Sequence, residues 1–176
     1  MTIIHDWKKI SIVRITFRYG FTYSCQLIIN SVFDKNPGGI YGTTPLHFAV
    51  EKGHLDICRL IIENVKDKNP PDVIGRTPLH WAAEKGDLAI SQLIICNVES
   101  KNPQDLIGRT PLHVAAQNGH YDICKLIISH VEDVEPANEA GLTPFDLATQ
   151  QGHWDIARFI IKVKSHRDTA VKSQKD

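Results

Sequence analysis

The sequence Gly-Arg-Thr-Pro-Leu-His at residues 75–80 decides the fold, because its core returns along the chain at a fixed interval. Thr-Pro-Leu-His begins at Thr44, Thr77 and Thr110, and an altered copy, Thr-Pro-Phe-Asp, begins at Thr143, so that successive copies lie 33 residues apart. Segments 67–99 and 100–132 are identical at 20 of 33 positions, which excludes coincidence. The chain is therefore predicted to consist of structural repeats.

Each repeat carries the signals of two short helices. Thr77 is a favourable N-cap because its hydroxyl can accept a backbone N–H, and Pro78 suits the first helical position. Gly86 ends the first helix where a left-handed residue is favoured, and Asp87 places a negative group at the start of the second. The sequence Asp-Val-Ile-Gly at 72–75 predicts a tight turn that opens the repeat. The fold is predicted to be all-α, with helix-turn-helix units.

The repeated pattern G-x-T-P-L-H-x-A-A-x-x-G closely resembles the ankyrin repeat. The resemblance implies a solenoid of stacked helix-turn-helix units with β-hairpin or turn connections. Four repeats are expected at 34–66, 67–99, 100–132 and 133–165, and the last is a C-terminal cap because Asp146 and Thr149 are polar. Residues 1–33 are expected to form a degenerate N-terminal capping half-repeat. Its segment 10–19 has strand propensity but is assigned to a helix by register. Residues 166–176 are expected to be a polar, frayed tail.

Composition limits the classes of partner. Lys plus Arg and Asp plus Glu both number 20, so no net field attracts nucleic acid. The N-terminus has no uninterrupted apolar core, and no stretch approaches the roughly 18 apolar residues of a spanning helix. We therefore expect no nucleic acid, no membrane insertion and a cytoplasmic location, with a nuclear one also open.

The recurring histidines and cysteines are interpreted as structural. In the ankyrin pattern, His47, His80 and His113 bond within and between repeats, and repeats about 8–10 Å apart cannot bring them to one metal. Cys25, Cys58 and Cys124 share a register with Ser91 and Ala157, which indicates small-residue packing, while Cys96 is expected to be more exposed. No catalytic motif is present. We expect no enzyme activity, cofactor, metal or small-molecule substrate.

Three asparagines, Asn36, Asn69 and Asn102, recur before the turns. By resemblance, they hold the loop through side-chain to backbone bonds. In some family members the equivalent asparagine is hydroxylated, but here a proline follows each asparagine, which departs from the usual pattern.

The resemblance also implies where a partner binds, namely the turn tips and the exposed ends of the first helices. Carried over by position, the turn-tip residues are Ile40, Tyr41, Thr43, Val73, Ile74, Arg76, Leu106, Ile107, Arg109, Glu139 and Leu142. The first-helix residues are Glu51, Lys52, Trp81, Glu84, Lys85, Gln117 and Asn118.

The tips are unusually apolar for the family. One interpretation is an exposed patch awaiting a partner, with Arg76 and Arg109 suited to carboxylate recognition. The other is that one residue of each apolar pair, Ile40–Tyr41, Val73–Ile74 or Leu106–Ile107, packs against the neighbouring tip and only stiffens the array.

These observations predict an adaptor or scaffold that binds another protein. The alternative is a regulatory ankyrin fragment of a larger protein, such as a channel, a kinase or a ubiquitin-ligase subunit, whose activity lies outside this chain.

Overall fold

The computed structural model describes residues 38–39 and 41–172, with side chains as far as residue 170. These residues form eight helices and no strand. The chain divides between Glu99 and Ser100 into two compact units. The predicted half-repeat at 1–33, with Cys25 and the helix at 10–19, lies outside the described residues, as do Asn36 and Ile40.

The first unit contains two pairs of short helices. Its helices are α1 (Pro45–Glu51), α2 (Leu55–Asn64), α3 (Pro78–Lys85) and α4 (Leu88–Ile95). The members of each pair pack together, α1 packs on α3, and α2 packs on α4. Equivalent helices therefore lie side by side within the unit.

The second unit repeats this arrangement. Its helices are α5 (Pro111–Gln117), α6 (Tyr121–Ile128), α7 (Pro144–Gln150) and α8 (Trp154–Lys172). Again the pairs pack internally, α5 packs on α7, and α6 packs on α8. The prediction of an all-α fold built from helix-turn-helix units is confirmed, whereas the exact repeat boundaries stay a prediction.

The helices begin and end where the sequence predicts. A threonine is the N-cap of each first helix, with proline directly after it. The hydroxyls of Thr110 and Thr143 accept the backbone N–H three residues on, at 3.4 and 3.2 Å. Gly86 ends α3 in the left-handed region at φ 75°, and Asp87 caps α4 by accepting the N–H of Ile90 at 2.9 Å.

Small residues on the second helices are buried in the core. Cys58, Ser91 and Cys124 are fully buried, and Ala157 is nearly so. Burial raises the pKa of both cysteine thiols to about 12, so they stay protonated and unreactive. Cys58, Cys96 and Cys124 all carry free thiols, and Cys96 is exposed as expected.

The end of the chain differs from the expected frayed tail. Helix α8 continues from Trp154 through Lys172. The guanidinium of Arg167 donates to the carbonyls of Ile128, Val131 and Glu132 at 2.7–2.8 Å, satisfying one carbonyl in the last turn of α6 and two in the loop after it. Lys164 also pairs with Glu135. The tail prediction was wrong at 166–172 because these bonds tie a polar helix to distant backbone.

None of the helices within residues 41–172 combines the length and the hydropathy of a membrane-spanning helix.

Candidate functional site

The turn tips are built around an acidic side chain. The N–H of Asp72 donates to the carbonyl of Arg76, and the N–H of Gly75 donates to the carbonyl of Asp72, both at 2.9 Å. Asp72 Oδ1 also accepts the N–H groups of Ile74 and Arg76, at 3.0 and 2.9 Å. Gly75 has φ 78°, which favours glycine. The carboxylate therefore fixes the turn from inside.

The second unit uses the same construction twice. Asp105 Oδ1 accepts the N–H groups of Ile107 and Arg109 at 3.1 and 2.8 Å. Asn138 Oδ1 accepts those of Ala140 and Leu142, both at 3.0 Å. An amide serves as well as a carboxylate here, because only one side-chain oxygen is needed for the turn.

Adjacent tips are joined through their backbones. In the first unit, the N–H of Val73 donates to the carbonyl of Tyr41 at 3.0 Å. In the second, the N–H of Glu139 donates to the carbonyl of Ile107 at 3.1 Å. A Cβ at Gly108 would approach the Glu139 nitrogen to 2.9 Å, so glycine permits this close contact. Backbone hydrogen bonds thus join the tips in pairs, without a contribution from their apolar side chains.

Those apolar side chains project into solvent. The exposed fractions are 68% for Tyr41, 55% for Val73, 50% for Ile74, 65% for Leu106 and 50% for Ile107. Both members of the pairs Val73–Ile74 and Leu106–Ile107 are therefore at least half exposed. An exposed cluster of large apolar side chains is unusual unless a second molecule covers it.

Neutral histidines support the tips from below. His47 Nδ1 accepts the N–H of Thr44 at 3.1 Å, so the proton resides on Nε2, which donates to the carbonyl of Arg76 at 3.1 Å. His113 makes the same bonds to Thr110 and Leu142, at 3.1 and 3.0 Å. Burial lowers the pKa of His47 to about 4 and also lowers the pKa of His113. Their predicted structural role is confirmed.

Two of the recurring asparagines, Asn69 and Asn102, lie within the described residues and are structural as well. Asn69 Oδ1 accepts the N–H of Leu79 at 3.2 Å, and Asn102 Oδ1 accepts that of Leu112 at 3.0 Å. Each amide ties the loop before a tip to the first turn of the following helix.

Arg76 lies within a cluster on the first unit. Its guanidinium donates to Glu84 Oε2 at 2.7 Å and lies over the Trp81 ring, 6.0 Å from its centroid. The indole N–H of Trp81 donates to Asp72 Oδ2 at 3.3 Å, and the ring meets His47 edge-on at 5.2 Å. These contacts hold a half-buried tryptophan in one orientation.

Arg109, at the equivalent place in the second unit, pairs with its own turn instead. Its Nε and Nη2 both lie 3.1 Å from Asp105 Oδ2. Arg76 and Arg109 were predicted to suit carboxylate recognition, but both already hold a carboxylate of the same chain.

The remaining predicted site residues lie at the surface in varying degree. The exposed ones are Lys52, Glu84, Lys85, Asn118 and Glu139, and the half-buried ones are Thr43, Glu51, Trp81, Gln117 and Leu142. Val114, which shares the register of Trp81, is buried and offers nothing to a partner.

The role of Asp72 and Asp105 in shaping the tips was not predicted from the sequence. The available signal was the spacing Asp-x-x-Gly-Arg, in which an acidic side chain can bond backbone N–H groups two and four residues on. The hydrogen-bond partners of the second carboxylate oxygens of Asp72 and Asp105 could not have been predicted, because those partners depend on side-chain packing.

Paired short helices with fastened, exposed tips define a helical repeat protein of the kind that presents loops to other molecules. The family model for ankyrin repeats, described as three copies, matches residues 15–105 and again 85–173. The chain belongs to the ankyrin repeat family. Ankyrin repeats are generally protein–protein interaction modules and are not themselves enzymes. None of the curated proteins compared with the chain matches it.

Across the described part of the chain, no three His, Cys, Asp or Glu side chains form a group that could hold a metal ion.

Proposed function

We propose that the chain is an adaptor or scaffold that binds a partner protein through its turn tips and the neighbouring ends of the first helices. The single observation that carries the proposal is the exposure of apolar side chains at tips whose backbones are already fixed. Tyr41, Val73 and Ile74 provide this surface in the first unit, and Leu106 and Ile107 provide it in the second.

Fixed tips favour binding on physical grounds. The turns keep their shape through Asp72, Asp105 and the backbone bonds between tips, so a partner need not order them. Association then loses less conformational entropy than it would with mobile loops. Half-exposed Ile74 and Ile107 would lose the rest of their contact with water in the complex.

Trp81 is the strongest single anchor that the first unit offers. Its ring is oriented by Asp72, His47 and Arg76, and part of it still reaches solvent. Oriented tryptophan and arginine side chains are the residue types that most often dominate binding energy.

The test compares a double variant with a matched control. Ile74→Ser/Ile107→Ser removes apolar side chains that are each 50% exposed at the tips, and Ile161→Ser removes one that is 51% exposed on α8. Each protein is immobilised, and the proteins it retains from an extract are quantified by mass spectrometry. Far-UV circular dichroism checks that the helical content is unchanged.

We expect at least one protein to be retained by the wild type and by Ile161→Ser but lost with the double variant. Equal retention by all three would overturn the proposed binding surface. Loss of helical signal in the double variant would show instead that the isoleucines are structural.

A further inference from the structure

Resting on the proposed function, the chemistry of the partner follows from how the charges around the tips are paired. Arg76 bonds Glu84, and its side chain is only 15% exposed. A partner carboxylate would have to displace Glu84 and reach a guanidinium that lies over the Trp81 ring. Exchanging one carboxylate for another gains little, since the lost pair offsets the new one.

In the second unit, displacing the carboxylate that pairs with the arginine is still less favourable. Arg109 bonds Asp105 through two nitrogens, and the carboxylate side chain of Asp105 is only 2% exposed. Removing Arg109 from this pair would leave a buried charge without its counterion, which is costly. Both arginines are therefore already neutralised by a carboxylate of their own unit, which makes either one a poor carboxylate receptor.

The helix ends beside the tips carry little net charge. In the first unit, Glu51 and Lys52 pair at 3.3 Å. In the second unit, the equivalent positions hold the neutral amides Gln117 and Asn118. Lys85 in the first unit and Glu139 in the second are each a single exposed charge. An approaching charged segment would gain little long-range attraction from either unit.

What the tips offer is apolar contact. Tyr41, Val73 and Ile74 in one unit, and Leu106 and Ile107 in the other, are each at least 50% exposed. We infer that the tips recognise an uncharged, apolar peptide segment of the partner, rich in aliphatic or aromatic side chains, rather than an acidic one.

The probe is a phage-displayed library of random dodecapeptides, selected on the wild-type chain. Peptides that also bind Ile74→Ser/Ile107→Ser are discarded, so that the retained sequences depend on the tips. The affinity of each retained peptide is then measured by isothermal titration calorimetry at low and high salt.

We expect the retained peptides to be apolar and without net charge. Their affinity for the wild type should change less than about twofold between about 0.05 and 0.5 M NaCl, because screening has no charge pair to weaken. It should fall at least about tenfold with the double variant, because an exposed tip isoleucine has been replaced in each unit, and stay unchanged with Ile161→Ser.

Two results would overturn the inference in different ways. Tip-dependent peptides that are acidic, lose affinity in high salt and no longer bind Arg76→Gln/Arg109→Gln would show carboxylate recognition, leaving the proposed function intact. If no tip-dependent peptide is enriched, a short segment is not what the tips recognise. The retention experiment then decides whether a folded partner uses the same surface or the proposed function fails too.

Discussion

Segments 72–84 and 105–117 share the sequence Asp-x-Ile-Gly-Arg-Thr-Pro-Leu-His, yet their arginines have different partners. In segment 72–84 the indole N–H of Trp81 donates to Asp72 Oδ2, and the guanidinium of Arg76 donates to Glu84. In the second, the residues equivalent to Trp81 and Glu84 are Val114 and Gln117. Val114 has no side-chain N–H to donate to Asp105, and Gln117 has no charge with which to pair a guanidinium. Arg109 therefore bonds Asp105.

The difference teaches that the repeat motif determines the turn but not the partner of its arginine. Two variable positions on the first helix decide that partner. The consequence is visible at Nε, which in Arg109 donates to Asp105 but in Arg76 is buried with no acceptor among the described residues. The first segment thus keeps an oriented tryptophan near its tip at the expense of one hydrogen bond.

Removing the turn carboxylates should have the largest effect and should separate the segments. Asp105→Ala leaves two backbone N–H groups and the guanidinium of Arg109 without their acceptor, and we expect it to lower the free energy of unfolding by about 3 kcal/mol. Asp72→Ala leaves two backbone N–H groups and the indole N–H of Trp81 without their acceptor. It should still cost less, about 2 kcal/mol, because Arg76 keeps Glu84 and no charged group loses its counterion. Urea denaturation of both variants measures the difference. Equal costs would contradict the proposed division of roles.

Acid should weaken both units through the neutral histidines His47 and His113. The pKa of His47 is lowered from 6.5 to about 4 in the folded chain, so protonation favours the unfolded state. Its contribution is complete above pH 6.5 and is lost as the pH falls toward 4. Between pH 7 and 4.5 this loss is about 2 to 3 kcal/mol.

The check is urea denaturation of wild type and His47→Gln across this pH range. The variant should show a shallower decline, because glutamine does not titrate. The pKa of His113 is also lowered by burial, so a smaller decline should remain. Parallel curves for the two proteins would contradict the assignment of His47 as neutral.

The close contact between tips can be tested with a matched pair of glycines in the second unit. Gly108 and Gly141 have φ 74° and 75°, but a Cβ at Gly108 would meet the backbone of Asn138 and Glu139, whereas one at Gly141 would meet nothing within 4 Å. Gly141→Ala should cost about 1 kcal/mol for backbone strain alone. Gly108→Ala should cost about 2 kcal/mol because of the added collision. Thermal denaturation that ranks the two equally would show that the tips do not approach so closely.

The smallest expected effect concerns the pair Arg76 and Glu84. Since the Glu84 side chain is 48% exposed, a double-mutant cycle with Arg76→Gln and Glu84→Gln should give a coupling of about 0.5 kcal/mol. In the Trp81→Val background the coupling should approach zero, because Arg76 can then turn to Asp72 as Arg109 turns to Asp105. An unchanged coupling would contradict the role assigned to Trp81.

Much of the fold could be predicted because its signals are local. Thr77 with Pro78 begins a helix, and Gly86 ends it, whatever surrounds them. The 33-residue period then extends these assignments to both units. The tip positions and the structural roles of His47 and Asn69 were implied by the resemblance to the ankyrin repeat, carried over in the same register.

The features that could not be predicted from the sequence depend on contacts between distant residues. Helix α8 runs past residue 166 because Arg167 reaches carbonyls 35–39 residues earlier, which no local pattern reveals. The arginine partners were also hidden, because Trp81 and Arg76 compete for Asp72 only once the helix and the turn are folded together. Such competition is decided by side-chain geometry.

The most direct test asks whether the tip isoleucines are dispensable for folding. The free energy of unfolding of Ile74→Ser/Ile107→Ser should lie within about 0.5 kcal/mol of the wild type, as for exposed sites generally. Ile123→Ser, which alters a side chain only 1% exposed, should lose more than about 3 kcal/mol in the same urea titration. A loss of about 2 kcal/mol or more in the tip variant would mean that these side chains hold the fold together and do not await a partner.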